Sequence, residues 1–221
     1  MTAREWEAAQ QFADYVFEAA HEFRLDPALI FAVMSRESHC GLTLDKHGTG
    51  DYKPRPWLAK PLPPDGLGWG RSVMQVDYGA HAFARGNEWK DPRAAIAYGT
   101  KVLKDSINYF HTKAADVAEP FRAGVAAYNR GPRNILNDIR AGLDIDQKTA
   151  RGEYKLLGLH SGDYSTDVLG LRLPWFRERL GEMSDPDLIV HLNRLPVLPP
   201  VTLPVEVVVP DHLPEPTDPN A

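Results

Sequence analysis

The stretch Ile30-Phe31-Ala32-Val33-Met34-Ser35-Arg36-Glu37-Ser38-His39-Cys40-Gly41 carries an apolar run into a glutamate and then stops at a glycine. Asp26-Pro27 stands just upstream, an N-cap residue followed by proline at the first helical position, and predicts a helix over Pro27 to Glu37. Ile30, Val33, Met34 and Glu37 fall at i, i+3, i+4 and i+7, so they share one helix face. Glu37 is then the polar end of an apolar stripe. Burial penalises an ionised carboxyl, so its pKa should rise and it can hold a proton near neutrality. A general acid needs that property. Taken alone, a glutamate at a helix end more often turns to solvent or pairs with a neighbour such as Arg36.

Outward from this helix, the periodicity predicts a mainly helical chain. Trp6, Ala9, Ala13, Val16, Ala20 and Phe23 recur at helical spacing and predict one amphipathic helix over residues 4 to 24. Asp91-Pro92 opens another helix, expected to run to about Phe110. Shorter helices are expected from Pro120 to Tyr128 and from Asn134 to Ala141, the latter stopped by Gly142. Tyr164 to Leu180 reads as a helix in two pieces because Pro174 interrupts it, and Asp185-Pro186 starts a last short one. One strand is expected, Ser72-Val73-Met74-Gln75-Val76-Asp77, with Met74 and Val76 on one face and Gln75 and Asp77 on the other.

Two segments break the pattern. Lys53 to Leu67 carries Pro54, Pro56, Pro61, Pro63 and Pro64 and reads as a long exposed loop. Residues 196–221 carry eight more prolines and read as an extended tail, so the expected division is a domain over 1–195 and a Pro-rich tail over 196–221. The 221 residues suffice for one well-buried domain. A formal net charge of -5 with no basic run argues against non-specific nucleic-acid binding. With Cys40 as the single cysteine, no intramolecular disulfide can form.

Further motifs follow in order: Gly48-Thr49-Gly50-Asp51, then Gly68-Trp69-Gly70-Arg71-Ser72-Val73-Met74-Gln75-Val76-Asp77 and His81, then Ala127-Tyr128-Asn129-Arg130-Gly131, then Asp163-Tyr164-Ser165-Thr166-Asp167-Val168. Together with Ser35-Arg36-Glu37-Ser38-His39-Cys40-Gly41, they resemble the signature stretches of the goose-type lysozymes, relatives of the soluble lytic transglycosylases. The resemblance spans roughly residues 25 to 170. It implies a lysozyme-like α+β fold, mainly α, and cleavage of the β-1,4 bond between N-acetylmuramic acid and N-acetylglucosamine in peptidoglycan. Glu37 matches the family's catalytic acid. Asp77, after Met-Gln-Val, and Asp51, after Gly-Thr-Gly, match the aspartates associated with goose-type activity. Gln75, His81, Tyr128, Asn129 and Tyr164 match positions that line the sugar cleft, with a structural role about as expected for each. The 53–67 loop is longer than in most relatives, and Ser72-Val73 stands where Gly-Leu is usual.

An inverting glycosidase needs a second carboxylate about 6.5 to 9.5 Å from the acid, leaving room for a water. Having both Asp51 and Asp77 favours hydrolysis with inversion, and either is a candidate base. A lytic transglycosylase needs no such base, since the substrate's N-acetyl group displaces the leaving group and gives a 1,6-anhydro product. A non-catalytic peptidoglycan-binding protein is the reading from a different class. His39, Cys40 and His47 do not have a zinc spacing, and no metal or cofactor is expected.

No apolar h-region is visible near the N-terminus and no window is apolar enough to span a bilayer. The expectation is therefore synthesis in the cytoplasm without a signal peptide and action on the cell wall after release or delivery, as for a phage endolysin or an antibacterial effector. The tail offers a segment for a protein partner.

Overall fold

A computed structural model of the chain describes residues 1–51, 61–114, 116–146 and 164–182. Among these residues the architecture is helical, with one small antiparallel sheet. The expected helix over residues 4 to 24 is two helices, α1 (Ala3–Gln10) and α2 (Ala13–Phe23). The break at Gln11–Phe12 turns the chain so that both segments can pack against α3 (Pro27–Ser38). Spacing alone carries no sign of it, because apolar residues keep their rhythm across the break.

The helix α3 starts where Asp26 accepts a hydrogen bond from Ala28 N at 2.8 Å, and it runs through the main core. Phe31 stacks on Phe176 with ring centroids 5.4 Å apart, and Trp6 meets Phe31 edge-on. After the single turn α4 (Ala82–Arg85), the longest described helix, α5 (Pro92–Thr112), packs against α2 and α6 (Pro120–Arg130). Gly124 lets the last pair approach: a Cβ there would stand 2.5 Å from Ile107 Cα. A second, smaller core of Phe110, Ala123, Ala127, Ile135 and Leu136 joins α5 and α6 to α7 (Pro132–Arg140).

The C-terminal described segment starts with one turn, α8 (Tyr164–Thr166), widens into a π-helical turn over Asp167–Arg172, and continues as α9 (Leu173–Glu182). The expected interruption is there, but it precedes Pro174. Proline in the first turn of α9 needs no hydrogen-bonded N–H, so the chain changes pitch before it rather than breaking at it.

The strand expected over Ser72–Asp77 is replaced by a hairpin. The three strands are β1 (Thr49–Gly50), β2 (Gly70–Arg71) and β3 (Val76–Asp77), paired antiparallel in that order. Ser72 and Gln75 both take left-handed backbone angles, φ 59° and 49°, and reverse the chain between β2 and β3. Alternation still predicts the burial: Met74 and Val76 are buried, while Gln75 and Asp77 are partly open. The turn achieves with backbone angles what a strand achieves with its pleat. Arg71 anchors this region. Its side chain is fully buried, its Nη2 donates to Asp65 at 2.7 Å, and its guanidinium lies 4.9 Å from the Tyr78 ring and 5.1 Å from Trp89. Two aromatic faces stand where Nε and Nη1 find no hydrogen-bond acceptor. Expectations for residues 52–60 of the Pro-rich loop, for the helix at Asp185-Pro186 and for the 196–221 tail fall outside the described residues.

Candidate active site

Glu37 lies in the last turn of α3, but the face argument does not place it there. Pro27 through Ser35 are all buried, so this helix has no solvated side. Periodicity distinguishes faces only when one of them meets water. What places Glu37 is the end of the helix, where Arg36 and Glu37 emerge partly open while Ser38 stays buried. His39 and Cys40 then adopt left-handed angles, with Cys40 N donating to Met34 O at 3.3 Å, and the chain turns away. This C-cap leaves the carboxyl at the rim of the core.

The β-hairpin closes over the same helix end through two hydroxyls. Ser38 Oγ donates to Val73 O at 2.7 Å and accepts from Gly41 N at 2.9 Å. Tyr128, on α6, donates its phenol to Met74 O at 2.7 Å. Both hold the Ser72–Gln75 turn by its carbonyls, so the turn that leads into Asp77 is fixed to the helices beneath Glu37.

The surroundings of Glu37 set its protonation. Burial pushes its carboxyl up to about 7, and the nearby charge of Asp51 adds to the rise. The Tyr164 phenol, which donates to Glu37 Oε1, and the guanidiniums of Arg36 and Arg172 pull the other way. Burial outweighs them. Burial beside the same carboxyl also keeps the phenols of Tyr164 and Tyr128 well above the ordinary range, so both stay neutral donors. At neutral pH the acid is therefore close to half-protonated.

Tyr164 itself is positioned from behind. The fully buried Asp146 accepts from Ser165 N at 3.1 Å, from Ser165 Oγ at 2.5 Å and from Thr166 N at 3.1 Å, which caps the turn that starts at Tyr164. Arg122, from α6, lies 3.5 Å from the same carboxylate. Nothing in the spacing of Asp146 or Arg122 marks them. Their role depends on residues distant in sequence meeting in the fold.

The other expected site residues divide. Tyr164, Tyr128 and Asp51 gather electrostatically around Glu37. Asp51 is exposed and follows β1 with φ 52°, so the turn reading of the Gly-Asp pair also holds. Asp77 accepts from Ala80 N at 2.8 Å, and its charge raises the pKa of His81, which burial nevertheless holds below the usual imidazole range. His81 meets the Tyr98 hydroxyl at 3.1 Å. Gln75 folds across the paired glycines of β1 and β2: its Nε2 donates to Ser72 O, and a Cβ on Gly50 would stand 1.9 Å from its Oε1. Asn129 is exposed at the end of α6.

Comparison with known proteins gives the family of the chain. The family described as Lysozyme g matches residues 1–179, which take in every residue above. The chain belongs to the lysozyme g family. It is 28% identical to lysozyme g of Struthio camelus over 168 residues, covering 75% of this chain and 66% of that one. Against lysozyme g of Epinephelus coioides it is 28% identical over 178 residues, 78% of this chain and 77% of the other. With lysozyme g of Cyprinus carpio the identity is 29% over 172 residues, 77% and 75% of the two chains. Membership in the lysozyme g family makes the chain a goose-type glycoside hydrolase, a class whose substrate is peptidoglycan. The mainly α, α+β expectation agrees with the helices and small sheet described above. Among the described residues, no group of three or more His, Cys, Asp or Glu side chains is arranged to hold a metal, and no helix is long and apolar enough to cross a membrane.

Proposed function

We propose that this chain is a muramidase that hydrolyses the β-1,4 bond between N-acetylmuramic acid and N-acetylglucosamine, with Glu37 as general acid. The observation that carries the reading is the environment of Glu37: a carboxyl pushed up to about 7 by burial, partly open to solvent, and steadied by a phenol. Such a group can protonate a departing sugar oxygen near neutral pH. The charge of Asp51 acts on Glu37, and this favours it as the base that activates water. Asp77, bonded to the Ala80 backbone and acting on His81, fits a supporting role in shaping the substrate side of the hairpin.

Mass spectrometry of soluble fragments from purified peptidoglycan, with Glu37→Gln alongside, tests the reading. Reducing muramic acid ends that vanish with the variant support it. Anhydro ends would replace it with a lytic transglycosylase and remove the base role from both aspartates. Intact glycan bound but not cut by the wild-type protein would replace it with a binding function. Adding Asp51→Asn and Asp77→Asn decides the base: we expect Asp51→Asn to lose more of the rate.

A further inference from the structure

One cluster of charges lies behind the acid, and its central carboxylate, Asp167, has no part in the chemistry above. Asp167, on the π-helical turn, is buried and receives two guanidiniums. Arg36 Nη1 approaches its Oδ2 at 3.2 Å from α3, and Arg172 Nε donates to the same oxygen at 2.7 Å. Arg36 in turn lies 5.5 Å from the centre of the Tyr164 ring, whose hydroxyl reaches Glu37. The far side of Arg172 reaches Glu5 at 3.4 Å and also Ser35, and Glu5 accepts from Ser35 and meets His39 at 3.4 Å. The carboxylate thus ties together Arg36, the residue before the acid, and Arg172, in the place where the C-terminal segment changes pitch.

We propose that Asp167 is a positioning residue of the reaction, which holds Arg36 against Tyr164 and offsets part of the charge of the two arginines that act on Glu37. The proposal rests on Glu37 as the acid. Burying a carboxylate with two guanidiniums is repaid only when the pairing geometry is good, and here one oxygen of Asp167 meets both arginines. The groups that face Glu37 are Arg36 on its own helix, Arg172 and Tyr164 from the C-terminal segment, Tyr128 from α6 and Asp51 from β1. Both arginines favour the ionised form of Glu37 and Asp51 opposes them. Asp167 screens the arginines. Without it, their full charge favours ionisation and the acid loses its proton at lower pH.

The test follows the Glu37 carboxyl carbon by NMR through a pH titration, with the signal assigned by its absence in Glu37→Gln, and compares it with the pH dependence of glycan release. Asp167→Asn is expected to move the Glu37 midpoint, and the alkaline limb of the rate, down by about one pH unit. Arg36→Gln is expected to move both up. Asp167→Glu should bring them back toward the wild-type position. Unmoved midpoints, or shifts of one sign in both variants, overturn the proposal. If Asp167→Asn does not fold, Arg36→Gln decides alone: an unmoved or lowered midpoint overturns it. Shifted midpoints in a protein that releases no product at any pH would remove the muramidase reading, and with it the role in a reaction. Product with unshifted midpoints would overturn this proposal alone.

Discussion

The two sides of the site are built from opposite materials. Glu37 rides on a twelve-residue helix that is buried on all sides, and the phenol beside it sits on a turn capped by a buried carboxylate. Asp51 follows, and Asp77 ends, a strand of only two residues, beside left-handed backbone angles at Asp51 itself, Ser72 and Gln75. Packing fixes the first side, and directed hydrogen bonds and two close-fitting glycines fix the second. A group whose protonation depends on burial needs the first kind of support. Groups that must meet water and a sugar strand need the openness of the second.

The largest expected effect separates burial from function. Glu37→Gln should lower the rate of glycan cleavage by about a thousandfold or more, as loss of a general acid does. The same change should stabilise the fold. The carboxyl has a folded pKa of about 7, above its unfolded value, so its ionisation weakens the native state progressively as pH rises to about 7 and uniformly beyond. Glutamine removes that penalty. Chemical denaturation should therefore show a gain of about 3 kcal/mol at pH 8 that fades towards pH 4. A loss of stability at pH 8 would mean that the carboxylate is stabilised where it sits, and that burial does not govern it.

A pair of glycine substitutions contrasts the two sides. A Cβ on Gly124 meets the backbone of Ile107, which cannot yield without separating α5 from α6. Gly124→Ala should cost about 2 kcal/mol despite the better helix propensity of alanine. A Cβ on Gly50 meets the amide of Gln75, the far end of a flexible side chain. Gly50→Ala should cost less in a thermal melt and more in activity, because displacing Gln75 loosens the turn that leads to Asp77. Equal stability losses would mean that the hairpin is as rigid as the helical side.

A smaller effect addresses the phenol. Its hydrogen bond favours the ionised form of Glu37, so Tyr164→Phe should raise the alkaline limb of the rate above its wild-type position, by about one pH unit. A pH profile of glycan release reads it directly. A lowered limb would show that Tyr164 acts mainly by shielding the carboxyl from water.

The difference between the sides also decided how much was legible beforehand. The helix of Glu37 announced itself through Asp26-Pro27 and an apolar run, and its bounds were expected to within one residue. A shared helix face does not explain the burial of Glu37, since a helix surrounded by protein has no face to read. In the hairpin, alternation at Met74, Gln75, Val76 and Asp77 predicted which residues are buried, yet the backbone there is a turn. Left-handed angles at Ser72 and Gln75 leave no sequence signal, because neither residue is a glycine. Asp146, Arg122, Asp167 and Arg172 carry no such signal: apart from the Asp167–Arg172 contact five residues apart, the partners that give them their place come from other elements of the fold. Local spacing shows what a residue is next to in the chain, and these residues work through what folding brings to them.

The smallest expected effects lie where the two sides meet. Ser38 and Tyr128 each hold one carbonyl of the hairpin turn, at Val73 and Met74. Ser38→Ala and Tyr128→Phe each remove one donor and leave a carbonyl without it, at about 1 kcal/mol apiece. The sum is more informative than either part. If the turn were pinned independently at the two points, the double variant would lose about the total of the single losses. But the two carbonyls are adjacent in one four-residue turn, and once one is free the other bond holds a segment that already moves. The second loss should then be smaller than the first, and denaturation of the four proteins should show a coupling of about 0.5 kcal/mol or more. Strict additivity would mean that the turn keeps its shape through its own backbone angles and the Gln75 amide, with the helices only resting against it.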